Sequence, residues 1–176
     1  MTSALLDIFR PIASVSPYDG AYNPWLVLVS VCIMVLAAFG ALSISSRMAA
    51  APNWRTRWGW AAAGAFSMGG GIWSMHFIGM LAFSVPAVTL RYNLLINLVS
   101  LFIGMLTSLF ALAISSRPDL SWRRLAISSV LMGLGICGMH YTGMAAIQIV
   151  PAITYDPLLV AASVATLVAG YLLERT

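Results

Sequence analysis

Five long apolar stretches, separated by short polar segments, set the pattern of this chain. They run over about 25–45, 58–85, 94–115, 125–150 and 157–175. Each holds roughly 20 residues, enough at about 1.5 Å per residue to cross a hydrocarbon layer of about 30 Å as an α-helix. Pro86 and Pro151 close the second and fourth stretches, and Pro157 opens the fifth. The pattern predicts an all-α fold, a polytopic membrane helix bundle of five spans. In lipid only helices and closed barrels satisfy their own backbone polar groups, and no period-two alternation argues for strands here.

The stretches repeat. Tyr22-Asn23, Tyr92-Asn93 and Tyr155-Asp156 precede the odd-numbered spans, and Ile-Ser-Ser-Arg ends the first and third (Ile44 to Arg47, Ile114 to Arg117). Trp54-Arg55 and Trp122-Arg123 lead into the even spans, which share Met68-Gly69 with Met132-Gly133 and leave through Val-Pro-Ala at Val85 to Ala87 and Val150 to Ala152. The unit is a helix hairpin of about 60 to 70 residues repeated in one orientation. The third hairpin is incomplete, having its first helix only, so the chain is expected to be truncated at its C-terminus.

Composition agrees with a lipid environment: 61% of residues are hydrophobic and 8% charged, with a mean hydropathy of +0.93. No lysine occurs, and the net charge of +4 comes from nine arginines. Three arginines lie in the loop between spans one and two (Arg47, Arg55, Arg57), three between spans three and four (Arg117, Arg123, Arg124), and Arg175 follows span five. The opposite side carries only Arg10 and Arg91. This bias puts the arginine-rich loops in the cytoplasm and the N-terminus outside, in a bacterial cytoplasmic membrane. It does not suggest nucleic-acid binding.

Residues 1–24 then form an extracytoplasmic segment with no continuous apolar core, so it is not read as a signal peptide. A membrane-lying helix around Leu5 to Ile12 is a weak expectation. Cys32 and Cys137 both lie inside apolar runs and form no disulfide framework. The remaining residues, 25–176, form the membrane domain.

The chemistry concentrates in two copies of one motif: Met75-His76-Phe77-Ile78-Gly79-Met80 and Met139-His140-Tyr141-Thr142-Gly143-Met144. They contain the only two histidines of the protein. Ionisable side chains inside a bilayer are costly and usually functional. Helical spacing places Met68, Ile72, His76 and Met80 on one stripe and Met132, Ile136, His140 and Met144 on another. Cys137 lies three residues before His140 on the same side, and Met75 and Met139 flank the histidines. Glycines crowd the approach (Gly69, Gly70, Gly71 and Gly79; Gly133, Gly135, Gly138 and Gly143), and small residues let helices come close.

Imidazole, thioether and thiol are soft to intermediate donors that suit copper, above all Cu(I), better than calcium, magnesium or manganese. Candidate metal-binding residues are therefore His76, His140, Met75, Met80, Met139, Met144 and Cys137. Haem with His76 and His140 as axial ligands is an alternative, and so is a structural domain whose histidines only hydrogen-bond between helices. Met34, Met48 and Met105 read as packing residues, and the tryptophans at span ends as an aromatic belt. Apart from Glu174 at the very end of the fifth, the spans contain no carboxylate, which counts against a transporter, and no general base paired with a nucleophile, which counts against an enzyme.

With its Met-His-[Phe/Tyr]-x-Gly-Met motifs, Tyr-[Asn/Asp] lead-ins and hairpin repeat, the chain resembles the MHYT domain family over about Trp25 to Thr176. The resemblance implies a bacterial integral-membrane sensor domain that binds copper through Met, His and Cys near the outer face. It implies oxygen, carbon monoxide, nitric oxide or redox state as the signal. The partners implied are the lipid bilayer, a diatomic gas and a cytoplasmic output domain outside this chain, with a homodimer as a further option. The family usually carries three such motifs, and two are present here.

Overall fold

The structure is a computed structural model and describes residues 20–85, 90–115, 121–149, 153 and 155–173. The weak amphipathic expectation near Leu5, the proline exits at Pro86 and Pro151, Arg10, Arg117 and Arg175 lie outside those residues. The described residues form five α-helices: α1 (Pro24–Ala49), α2 (Trp54–Ala82), α3 (Leu94–Ser115), α4 (Trp122–Ala145) and α5 (Pro157–Leu173). They also form four two-residue strands, one before α1 and three between helices: β1 (Ala21–Tyr22), β2 (Phe83–Ser84), β3 (Arg91–Tyr92) and β4 (Ile147–Gln148). The fold is an all-α membrane bundle, as the apolar pattern predicts.

The Tyr-[Asn/Asp] repeat is a helix start used three times. Asn23 Oδ1 accepts from the backbone amides of Trp25 and Leu26, Asn93 Oδ1 from Ile96, and Asp156 Oδ1 from Leu158 and Leu159. Each cap satisfies amides that a helix leaves unpaired at its first turn. Asn53 does the same for α2 through the Thr56 amide. The even helices therefore begin earlier than the apolar run suggests. Arg55, Arg57, Arg123 and Arg124, expected in loops, stand in the first turns of α2 and α4, and Arg47 in the last turn of α1. An arginine can lie along a helix end because its apolar stem packs while its head reaches polar surroundings. Arg47 sits over the Trp60 ring, 5.3 Å from its centroid.

The even helices also end earlier than expected. α2 stops at Ala82 and α4 at Ala145, and the chain then pairs backward. β1 is antiparallel to β2 with Tyr22 opposite Phe83, and β3 is antiparallel to β4 with Tyr92 opposite Ile147. The amide of Asn23 donates to the Ala82 carbonyl (2.9 Å), and that of Asn93 to the Ala146 carbonyl (2.8 Å). Each hairpin is thus pinned at one end by a short backbone ribbon, which satisfies carbonyls that an ending helix would leave bare.

Neighbours in sequence are neighbours in space: α1 packs on α2, α2 on α3, α3 on α4 and α4 on α5, with one shorter contact between α2 and α4. Ile72, Ala111, Met132 and Met139 form a core cluster, with Met34, Met68, Trp73, Ile103 and Ile136 packed against it. Met48, Ala61 and Leu112 form a second, flanked by Trp60 and Leu109. Three described helices are long and apolar enough to cross a membrane: α1, α3 over Leu94–Ile114, and α4. α2 is the longest at 29 residues, yet its glycines, serines and arginines make it less apolar. It packs between α1 and α3, where protein rather than lipid surrounds much of it.

The glycines do not mainly serve an α2–α4 contact, as the motif spacing suggests. A β-carbon on Gly69 would stand 2.6 Å from the Gly104 carbonyl oxygen and 2.6 Å from Met105 Cα, so α2 and α3 touch backbone to backbone. Gly71 abuts Ala37 of α1, and Gly135 abuts Thr107 of α3. Even helices use their glycines against odd ones, because those are their extensive neighbours. Gly143 is the exception, facing His76 across α2 and α4.

Candidate functional site at the paired imidazoles

His76 and His140 lie near the C-terminal ends of α2 and α4, where those helices touch. Their Nδ1 atoms are 3.3 Å apart. The ring centroids are 4.4 Å apart, with the planes tilted by 51°. Both residues are half-buried. One neutral imidazole donates its Nδ1–H and the other accepts, the roles following from the tautomers.

The close approach depends on Gly143. A β-carbon there would stand 2.9 Å from His76 Nε2 and 3.0 Å from its Cδ2. The repeat-equivalent Gly79 meets nothing within 4 Å, so one glycine of the pair seats a ring and the other does not. Gly143→Val is expected to push the His76 ring aside and break the Nδ1 contact, whereas Gly79→Val leaves it intact. Imidazole ¹⁵N spectra of the two variants check this, because loss of the contact moves both Nδ1 resonances.

Aromatic rings brace each motif, among them the lead-in tyrosine that precedes the next odd helix. Phe77 packs edge-on to Tyr92 (centroids 5.7 Å apart) and stacks on Trp73 (5.2 Å). Tyr141 packs edge-on to His140 (5.0 Å) and to Tyr155 (5.5 Å). The Tyr92 hydroxyl donates to the Met80 carbonyl (3.2 Å), and burial pushes its pKa above the usual phenol value, so it stays a donor. Tyr141 shares a hydrogen bond with Ser163 (3.1 Å). The motif's alternation of Phe77 with Tyr141 has a reason. Tyr141 finds a hydroxyl partner on α5, and Phe77 has only rings around it among the described contacts.

The other candidate donors are less gathered. Met80 is buried, and Met75 and Met144 are half-buried. Met139 belongs to the core cluster, with its Cγ 3.4 Å from a β-carbon built on Gly104 of α3, so it fills space on that side. Cys137 is a buried free thiol, and Cys32 is exposed on α1. Among the described residues no group of three or more His, Cys, Asp or Glu side chains could hold a metal ion. A metal at the pair would need thioethers to complete its shell, and Met80 and Met144 sit one turn beyond each histidine on its own face.

A row of serines escaped the motif reading. Ser30, Ser100 and Ser163 stand at the same distance from the three lead-in tyrosines. Ser100 Oγ donates to the Met139 carbonyl (2.7 Å), tying α3 to α4 just beside the histidines. Buried serines in apolar helices carry no periodic signal, but the repeat alignment itself could have exposed them.

Comparison with known proteins gives a consistent set. The family MHYT, described as "Bacterial signalling protein N terminal repeat", matches residues 69–128 and 133–173. The chain is 48% identical over 138 residues to the bifunctional diguanylate cyclase/cyclic di-GMP phosphodiesterase MucR of Pseudomonas aeruginosa, covering 78% of this chain and 20% of the relative. It is 38% identical to the cyclic di-GMP phosphodiesterase NbdA of the same organism (85% and 19% covered). Against the signaling protein YkoW of Bacillus subtilis it is 32% identical (85% and 18%). The chain thus spans about a fifth of the length of these curated relatives. No solved structure matches it.

Proposed function

The chain belongs to the MHYT family of bacterial signalling proteins, and from that premise we propose that it senses a small ligand or redox state through a copper ion held at the imidazole pair. His76 and His140 would supply nitrogens, Met80 and Met144 thioethers, and Met75 and Cys137 would stand close by. The observation that carries the proposal is the 3.3 Å separation of the two Nδ1 atoms. Two nitrogens each about 2.0 Å from a tetrahedral ion stand about that far apart. The donor set fits as well, since imidazole and thioether without carboxylate suit Cu(I). Bound copper would supply an open position for a diatomic gas, or a change of oxidation state, and the chain's own task is to hold the rings together across two helices.

The bilayer is that of the bacterial cytoplasmic membrane, with five spans. Arg47, Arg55, Arg57, Arg123 and Arg124 gather at one end of the bundle and would face the cytoplasm. The imidazole pair lies towards the opposite end and would be near the outer face, with the N-terminus outside. Relatives named as cyclic di-GMP enzymes support an output domain of that kind in the whole protein, driven from the cytoplasmic end.

The same Nδ1 contact favours a second reading, in which the pair only pins α2 to α4. Haem fares worse, because rings already in contact leave no gap for a porphyrin between them. Metal analysis and an optical spectrum of protein purified from copper-supplied cells decide. A stoichiometric copper content without a Soret band is expected. Copper at background would refute the proposal and leave the helix pin.

A further inference from the structure

His76 has a second nitrogen, and its situation is specific. Nδ1 faces His140, but Nε2 is buried and without a hydrogen-bond partner among the described residues. It lies beside Gly143, and Ser100 Oγ lies 3.3 Å from the same built β-carbon. The proton of Ser100 is already given to the Met139 carbonyl. One turn away on the same face of α3 is Asn97, 2% exposed, whose Oδ1 is also unpartnered. The Asn97 carbonyl accepts from Trp73 Nε1 (3.1 Å), and Trp73 lies one turn before His76 on its face of α2. An orphaned acceptor and an orphaned imidazole nitrogen therefore share the α2–α3 seam. The nearby hydroxyl and indole protons are spoken for. A buried polar atom left unpaired costs about 1–3 kcal/mol, so two complementary ones in the same seam call for each other.

We propose that Asn97 is a positioning residue for the metal pair: His76 Nε2–H donates to one bridging water, and that water donates to Asn97 Oδ1. That bond fixes the tautomer of His76 and leaves Nδ1 as a lone pair aimed at the position shared with His140. The proposal rests on the copper reading for its purpose, but not for its geometry. Metal-bound histidines generally donate their other N–H to such an outer acceptor, which sets ring orientation and ligand basicity. The arrangement is asymmetric. The positions matching Asn97 in the other two units are Val27 and Val160, which have no side-chain acceptor to offer. In the metal-free protein His140 Nδ1–H must then be the donor of the pair, and His76 Nδ1 the acceptor.

The test is the ¹⁵N spectrum of histidine-labelled, metal-free protein in bilayers, with the His76 signals identified by their loss in His76→Gln. Wild type is expected to carry the His76 proton on Nε2. Asn97→Val, which installs the residue of the sister units, should shift it towards Nδ1, and Asn97→Asp, which keeps an acceptor oxygen, should hold it on Nε2. Cu(I) affinity in Asn97→Val is expected to fall about 10–100-fold. A wild-type His76 protonated on Nδ1 overturns the proposal, and this reading does not depend on any Asn97 variant folding. The same tautomer in wild type and Asn97→Val overturns it too. Wild type that takes up no copper would refute the metal reading, while the tautomer comparison would still decide the role of Asn97.

Discussion

Replacing both imidazoles, His76→Ala with His140→Ala, is expected to lower bound copper from stoichiometric to background. In the proposed site the pair would supply both nitrogen donors, and thioethers alone would remain. Either single variant should retain a weakened site, because one imidazole and the methionines persist. Stability gives an independent reading. Each single change strands the Nδ1 of its partner in a half-buried position, at a cost of about 1–3 kcal/mol. The double change strands neither, so it should be less damaging than the two singles added together. If the pair serves only as a pin, wild type carries no copper and the coupling energy is that of an ordinary interhelical hydrogen bond in lipid, about 0.6 kcal/mol. Metal content and unfolding in detergent, measured on all four proteins, separate these outcomes.

Gly69→Leu is expected to do the greatest damage to the fold. The helices meet there without side chains between them, and a β-carbon would fall 2.6 Å from the Gly104 carbonyl oxygen and from Met105 Cα. Backbone cannot rotate away as a flexible side chain can. Overpacking of this kind costs about 3 kcal/mol when the neighbour cannot yield. α2 and α3 also join one hairpin to the next, so the loss should extend to the imidazole pair. The control is one residue along: Gly70 meets nothing within 4 Å, and Gly70→Leu should melt as wild type does. Equal melting of the two variants would refute the backbone contact between α2 and α3.

Much of this was legible in the residues. Two histidines at matching positions of a repeat predict a meeting place, since repeated hairpins put equivalent positions at equivalent depth, and the rings do meet. The Tyr-[Asn/Asp] pairs were legible as helix starts for the same reason. The ribbons were not. Two residues per strand are too few for an alternating pattern, and Phe83-Ser84 reads as the tail of an apolar helix. The first turns of α2 and α4 were hidden by their arginines, which resemble loop residues until Asn53 is seen capping a helix behind them. Asn97 was passed over as one polar residue in an apolar span. Its significance lies in what it faces, which is a property of packing that spacing along one helix does not encode.

The backbone ribbons clamp one end of the bundle by main-chain bonds, whereas the other end is held by side-chain packing. Each ribbon holds the last turn of an even helix to the start of its odd partner by main-chain bonds, within two turns of the imidazoles. The other ends of α1 and α2 are joined by the turn around Pro52 and by side-chain packing, with Arg47 over Trp60 and Met48 clustered with Ala61. Were the rings to separate or draw together, the clamped ends could not slide, and the displacement would emerge as a swing of the far ends. α2 then acts as a lever with its fulcrum at the ribbon, and its arm from His76 back to Trp54 is about 33 Å at about 1.5 Å per residue. A small motion at the rings would then be magnified where the arginines lie.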